Sequence, residues 1–258
     1  VLFYNVSFRI YLKGLILAQP AGYQFARVPA RPGARLINGR LENRMKNVLV
    51  SLALFLLMSS AHAGFKEGVQ YQTIENSQPT VSEDRIEVLE LFWYGCPHCY
   101  QLEPELEAWL KTKPDDVVFV RLPAVLGPSW ELHARAFYTA ELLGVTDKIH
   151  KPLFDRMHKE KRPIRNVAQL KEIFMAQGVS EQDFDNTYKS FAVITKTNRA
   201  KQAASLYGIK GVPALVVNGK YRTSAREAGS NKGMLEVVDF LVKQERAAAD
   251  DKTQATTQ

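Results

Sequence analysis

One short stretch constrains this chain more than any other. Residues 86–93 read Ile-Glu-Val-Leu-Glu-Leu-Phe-Trp, Tyr94 and Gly95 follow, and then comes Cys96-Pro97-His98-Cys99. A mostly apolar run rich in β-formers predicts a central buried strand. After the second cysteine, Leu102, Leu106, Trp109 and Leu110 recur at helical spacing, which predicts an amphipathic helix over 100–110. The cysteines therefore stand where a strand turns into a helix. Pro97 suits a first helical turn, where its missing N–H leaves no bond unmade. A second apolar run at 117–122 completes strand, helix and strand, the order of a right-handed βαβ unit.

Cys96 and Cys99 are the only cysteines among 258 residues. A bridge this short cannot tie distant elements together, so a disulfide scaffold is excluded. Cys96 at a helix start meets free backbone N–H groups and partial positive charge, which stabilise a thiolate. His98 can add positive or dipolar stabilisation. Cys99 lies one turn further in, where its thiol is more buried. Cys96 thus reads as the sulfur that attacks or is attacked, and Cys99 as the resolving one. A c-type haem needs histidine directly after the second cysteine, and Tyr100 stands there. Structural zinc needs two further ligands, and His133, His150 and His158 lack the usual spacing. A purely structural disulfide would gain little chain entropy. No metal and no cofactor are expected.

Residues 128–191 hold no convincing strand. Helical spacing recurs over 132–143, 149–157, 167–175 and 184–191, and Ser180 with Asp183 forms a capping-type start. This predicts a helical insert. A helix over 196–207 leads to Gly211-Val212-Pro213. Asn218-Gly219 between two strand-like runs marks a hairpin. A last helix over 234–246 precedes a polar tail, 249–258, expected to be disordered.

The formal net charge is +7. From Gly64 onward, however, bases and acids balance at 26 each, so the excess belongs to the N-terminal segment. Nucleic-acid binding by the body has little support from charge. Met45 and Lys46 precede an apolar run over 48–58 and then Ala61-His62-Ala63. That order is a signal peptide over 45–63, cleaved after Ala63. Residues 1–44 contain no methionine and are expected to be non-native upstream sequence, with Met45 the true start; the other reading is a membrane-anchoring extension over the fairly apolar 1–18, which Arg9 and Lys13 interrupt.

Phe92-Trp93-Tyr94-Gly95-Cys96-Pro97-His98-Cys99-Tyr100 resembles the active site of the DsbA family, the periplasmic dithiol oxidases of Gram-negative bacteria. The resemblance extends over nearly all of 65–248. It includes Lys151-Pro152-Leu153-Phe154, Ser190-Phe191, Gly211-Val212-Pro213-Ala214 and Asn218-Gly219-Lys220-Tyr221. It implies an α/β thioredoxin fold with an inserted helical domain: 64–123 and 193–248 form the thioredoxin-like part, and 124–192 the insert. It further implies a Cys96–Cys99 disulfide donated to newly exported proteins in the periplasm. A low thiol pKa and a strongly oxidising couple are known for the family and come with it. If the Cys96 pKa lies below about 5.5, the thiolate outweighs a four-residue bridge worth roughly 2 kcal/mol, and the reduced form is the more stable at pH 7.

The same resemblance implies a cis Val212–Pro213 bond beside Cys96, with Val212 free to bond an extended substrate. Glu90 matches a buried acid of the family, suited to proton transfer with Cys99. Its charge partner is open: where the family can carry a lysine on the next strand, this chain has Phe119, with Arg121 two residues on. Trp93 and Tyr94 are expected to border a peptide groove, core packing being the other reading of Trp93. Reoxidation by a DsbB-like, quinone-linked membrane oxidase is implied. A monomer is expected, and nothing before Ile86 is long enough for the dimerisation domain that a reductase or isomerase often carries. A reductase or isomerase on the same fold, and a non-catalytic chaperone for unfolded chains, are the rival readings.

Overall fold

The computed structural model describes residues 64–256. The expectations for 1–44 and 45–63 fall outside them. Strand β2 (Ile86–Phe92) lies mid-sheet and is buried at every position after the first. It pairs in parallel with β3 (Val117–Pro123) and antiparallel with β4 (Ala214–Val217). Strand β5 (Tyr221–Ser224) adds to β4, and the two-residue β1 (Gln72–Thr73) closes that edge. The order is therefore β1-β5-β4-β2-β3. Helix α1 (Pro97–Leu110) makes the crossover from β2 to β3 that a parallel pair requires.

Between β3 and β4 come α2 (Pro128–Leu142), α3 (Thr146–His158), α4 (Val167–Ala176), α5 (Glu181–Tyr188) and α6 (Phe191–Leu206). Helix α7 (Ala225–Ala228) and helix α8 (Asn231–Thr256) follow β5. The fold is thus the expected α/β thioredoxin fold with helices inserted. Side chains set the helix starts: Ser180 accepts from the Asp183 N–H at 3.0 Å, and Ser190 from Val193 N–H at 3.3 Å.

Strand alternation sorts the core. Val88, Leu215 and Val217 pack against Leu102, Leu106 and Trp109 of α1 and against Val238 and Leu241 of α8. Leu89, Leu91 and Val216 face the other way, onto Tyr207 and Ile209. A third core joins Phe92, Tyr94 and both cysteines to Phe137, Leu153, Phe154 and Phe174 of the helical insert. Val193 and Ala200 of α6 belong to that core, while Ala203 packs on the sheet core. The 192/193 boundary drawn from sequence therefore falls inside one continuous helix.

One further difference from the sequence reading concerns the C-terminal end of the body. Helix α8 runs to Thr256, so disorder does not begin at 249. Ala247, Ala248, Ala249 and Gln254 are strong helix formers, a composition that favours continuing the helix. At the β4–β5 hairpin, Asn218 (φ 51°) and Gly219 (φ 65°) both adopt left-handed backbone, the mark of a tight two-residue turn. A Cβ at Gly219 would stand 2.0 Å from the Gln78 carbonyl oxygen, so only glycine fits there.

Candidate active site

Cys96 is the N-cap of α1, and Pro97 opens the helix behind it. The Cys99 N–H points at the Cys96 Sγ, 3.4 Å away. On its other side the Cys96 thiol donates to the Val212 carbonyl oxygen at 3.3 Å. The Val212–Pro213 bond is cis, as the resemblance implied. Both cysteines are free thiols. Cys96 is 7% exposed and Cys99 fully buried, so an incoming sulfur meets Cys96 first.

The two thiols are driven apart electrostatically. Cys96 is lowered to about 6. The hydrogen bond from the Cys99 thiol is the largest cause, and the N–H groups of Cys99 and His98 and the charge of His98 add to it against burial. Cys99 is pushed well above the usual thiol range by burial, with Cys96 and the charge of Glu90 adding. His98 itself is exposed.

Behind the cysteines runs a buried polar chain. Glu90 and Arg121 are register partners on β2 and β3, and Arg121 Nε donates to Glu90 Oε2 at 3.1 Å. Arg121 therefore fills the role left open by sequence. Phe119, one pleat earlier, sits opposite Val88 and packs edge-on against Trp109. Arg121 also donates to Glu103 Oε2 of α1 at 3.2 Å. The other Glu103 oxygen lies 3.3 Å from His150 Nε2 of α3, within ion-pair range but off hydrogen-bond geometry. His150 Nδ1 is 2.8 Å from the Tyr94 hydroxyl. Burial raises Glu90 to about 8, the charge of Glu103 adding to it and Arg121 opposing it. Glu103 is instead held below the usual range, because His150 and Arg121 together overcome its burial. Burial also lowers His150, against the carboxylate of Glu103.

The aromatic pair before the cysteines is placed differently from the expected groove wall. Tyr94 is 1% exposed with its hydroxyl on His150, so it is a core residue. Trp93 is half-buried and stacks on Trp130, ring centroids 4.2 Å apart at 7°. Its ring folds over Gly95, where a Cβ would stand 2.3 Å from it. That contact explains the glycine before Cys96. A groove opens on the Pro213 side. It has a volume of about 880 Å³ and is lined by His98, Val212, Pro213, Lys210, Arg222 and Arg226, among others.

Glu103 and His150 were missed, although a signal for each was present. Glu103 lies on the helical stripe of Cys99, Leu102 and Leu106, and His150 on that of Ile149, Leu153 and Phe154. A charged residue on an apolar stripe needs a buried partner. The lining of the groove by β5 and α7 had no such signal.

A reactive dithiol at a helix N-terminus, faced by a cis-proline loop on this sheet, defines a thiol–disulfide oxidoreductase. A family model, the DSBA-like thioredoxin domain, matches residues 87–232. The thiol:disulfide interchange protein DsbA of Azotobacter vinelandii is 40% identical over 205 residues, 78% of this chain and 96% of that one. The crystal structure of Pseudomonas aeruginosa DsbA superposes with a TM-score of 0.69 at 40% identity, covering 72% of this chain and 97% of that one. A Proteus mirabilis DsbA solved with a non-covalently bound peptide gives a TM-score of 0.60 at 27% identity, covering 70% and 100%. The chain belongs to the DsbA family.

Proposed function

We propose that this enzyme is a dithiol oxidase that passes its Cys96–Cys99 disulfide to newly exported proteins in the periplasm. The observation that carries the reading is the asymmetry of the two thiols: Cys96 caps the helix, accepts from the Cys99 N–H and faces the cis-proline loop, while Cys99 is fully buried behind it, which lowers the first thiol and raises the second. A client thiolate attacks Cys96 Sγ, the Cys96–Cys99 bond breaks, and Cys99 leaves with the electron pair. Cys99 then takes a proton, and Glu90, neutral at pH 7 with a pKa of about 8, is its source. A second client thiolate attacks the client sulfur of the mixed disulfide. Cys96 leaves as a stabilised thiolate, the client is oxidised and the enzyme holds the two electrons. Val212 would bond an extended client beside the sulfurs; its carbonyl, 3.3 Å from Cys96 Sγ, supports this, and the peptide carried by the Proteus relative supports a peptide ligand.

The signal pattern over 45–63 supports export. A DsbB-like, quinone-linked membrane oxidase would remove the two electrons and restore the disulfide. The test is oxidation of a reduced unfolded protein by wild type and by Cys96→Ser, together with the redox equilibrium against glutathione. Wild type oxidises the client, the variant does not, and the couple lies closer to the known DsbA value of about −120 mV than to thioredoxin near −270 mV. A thioredoxin-like potential would make the protein a reductase. Client binding that Cys96→Ser leaves intact, with no oxidation by wild type, would make it a chaperone.

A further inference from the structure

The groove beside Cys96 is unevenly charged. Lys210 comes from the loop before the cis proline, Arg222 from β5 and Arg226 from α7, while Glu227 is the one acid among its lining residues. Glu227 is already engaged. It accepts from the Ser224 hydroxyl at 2.8 Å, and one of its oxygens lies 3.9 Å from Arg222. Lys210 and Arg226 are exposed, and among the described residues neither has an ion-pair partner. The cations therefore face solvent at a surface that continues into the reacting sulfur, since His98, Val212 and Pro213 line the same groove.

Strand pairing brings the start of the Arg226 helix beside the cis-proline loop. Ala214, directly after Pro213, pairs with Ser224, and Arg226 lies two residues beyond Ser224. Adjacent strands are about 4.8 Å apart, and an extended client advances about 3.3 Å per residue. A side chain roughly two to four residues from the client cysteine thus reaches the cations. Desolvating a like charge there is unfavourable, and an acidic side chain is drawn in.

We propose that this groove selects extended client segments that carry acidic side chains within a few residues of the reacting cysteine. The inference rests on the oxidase reading and adds a substrate class to it. Charge of this kind acts on encounter rate and client choice, and it weakens as salt shortens the screening length.

The experiment uses three peptides that share one cysteine, with Glu, Gln or Lys at the flanking positions. Each reduces the oxidised enzyme, and each rate is divided by the same peptide's rate on a small neutral disulfide, which removes the effect of flanking charge on thiol pKa. The expected order is Glu over Gln over Lys, with a Glu-to-Lys ratio of about tenfold at low salt that shrinks toward one at high salt. In the double variant Lys210→Glu, Arg226→Glu the ratio inverts, and because it is internal to one protein, a general loss of activity does not mimic it. Equal normalised rates on wild type, or a ratio unchanged in the variant, would overturn the proposal. If neither the Gln peptide nor β-mercaptoethanol reduces the enzyme, the oxidase reading falls, and this inference with it.

Discussion

Cys96 and Cys99 carry the same side chain one helical turn apart, and the fold gives them opposite electrostatics. Alkylation of the reduced native enzyme near pH 6.5 should label Cys96 and spare Cys99, because only Cys96 is substantially thiolate there. Peptide mapping checks this, and label on Cys99 first would reverse the roles. Glu90 was legible as a charged residue in an apolar strand, whereas its partner depended on register, which sequence does not give. Once β2 and β3 are in register, Arg121 stands opposite Glu90 and the chain of partners extends to Tyr94. Arg121→Met leaves Glu103 and Glu90 buried without their cation. It should cost about 3 kcal/mol or more in urea denaturation, far above an exposed arginine's effect. Glu90→Gln keeps the neutral shape but holds no transferable proton. It should slow opening of the disulfide by client thiol and remove any inflection near pH 8 from that rate, as stopped-flow measurements would register.

At the level of elements, the strand–turn–helix that presents the cysteines was readable because each part carries its own signal: an apolar run, a glycine, a helix-opening proline and a helical stripe. Helix starts were less readable. Residues 184–191 read as one periodic segment, yet Ser190 caps a new helix and Phe191 begins it, because a side-chain hydrogen bond outranks apolar spacing at a terminus. Four-residue α7 is too short to show any period, so the groove wall it helps frame was invisible. The aromatic pair Trp93-Tyr94 pointed to a groove by proximity to the cysteines, but their burial is decided by Trp130 and His150, far away in sequence. Gly95 tests that arrangement. Gly95→Ala drives a methyl into the Trp93 ring, so the Trp93–Trp130 stack must open. The expected result is a loss of about 1–3 kcal/mol together with a changed near-ultraviolet circular dichroism from the two indoles. An unaltered spectrum would mean that the indole does not lie over the turn.

For the whole molecule, the redox chemistry and the folding free energy are one quantity. The folded pKa of Cys96, about 6, is depressed below an unfolded thiol value near 8.5. Its contribution to the reduced fold is therefore complete above about pH 8.5 and is lost as pH falls through 6. At pH 7 it amounts to at most about 1.4 kcal/mol, against roughly 2 kcal/mol for a bridge closing four residues. This moves the balance away from the expectation of a clearly more stable reduced form: at pH 7 the two forms should lie within about 1 kcal/mol. Between pH 6 and 8 the reduced form should gain about 2 kcal/mol on the oxidised one, after a small loss from Cys99, whose folded pKa is raised. Groups that titrate alike in both redox forms cancel from this difference. The most direct test is paired urea denaturation of oxidised and reduced protein at pH 6, 7 and 8. A gap that shifts toward the reduced form by about 2 kcal/mol over that range is the predicted result. A gap that does not change with pH would contradict it, because Cys96 would then hold no stabilised thiolate.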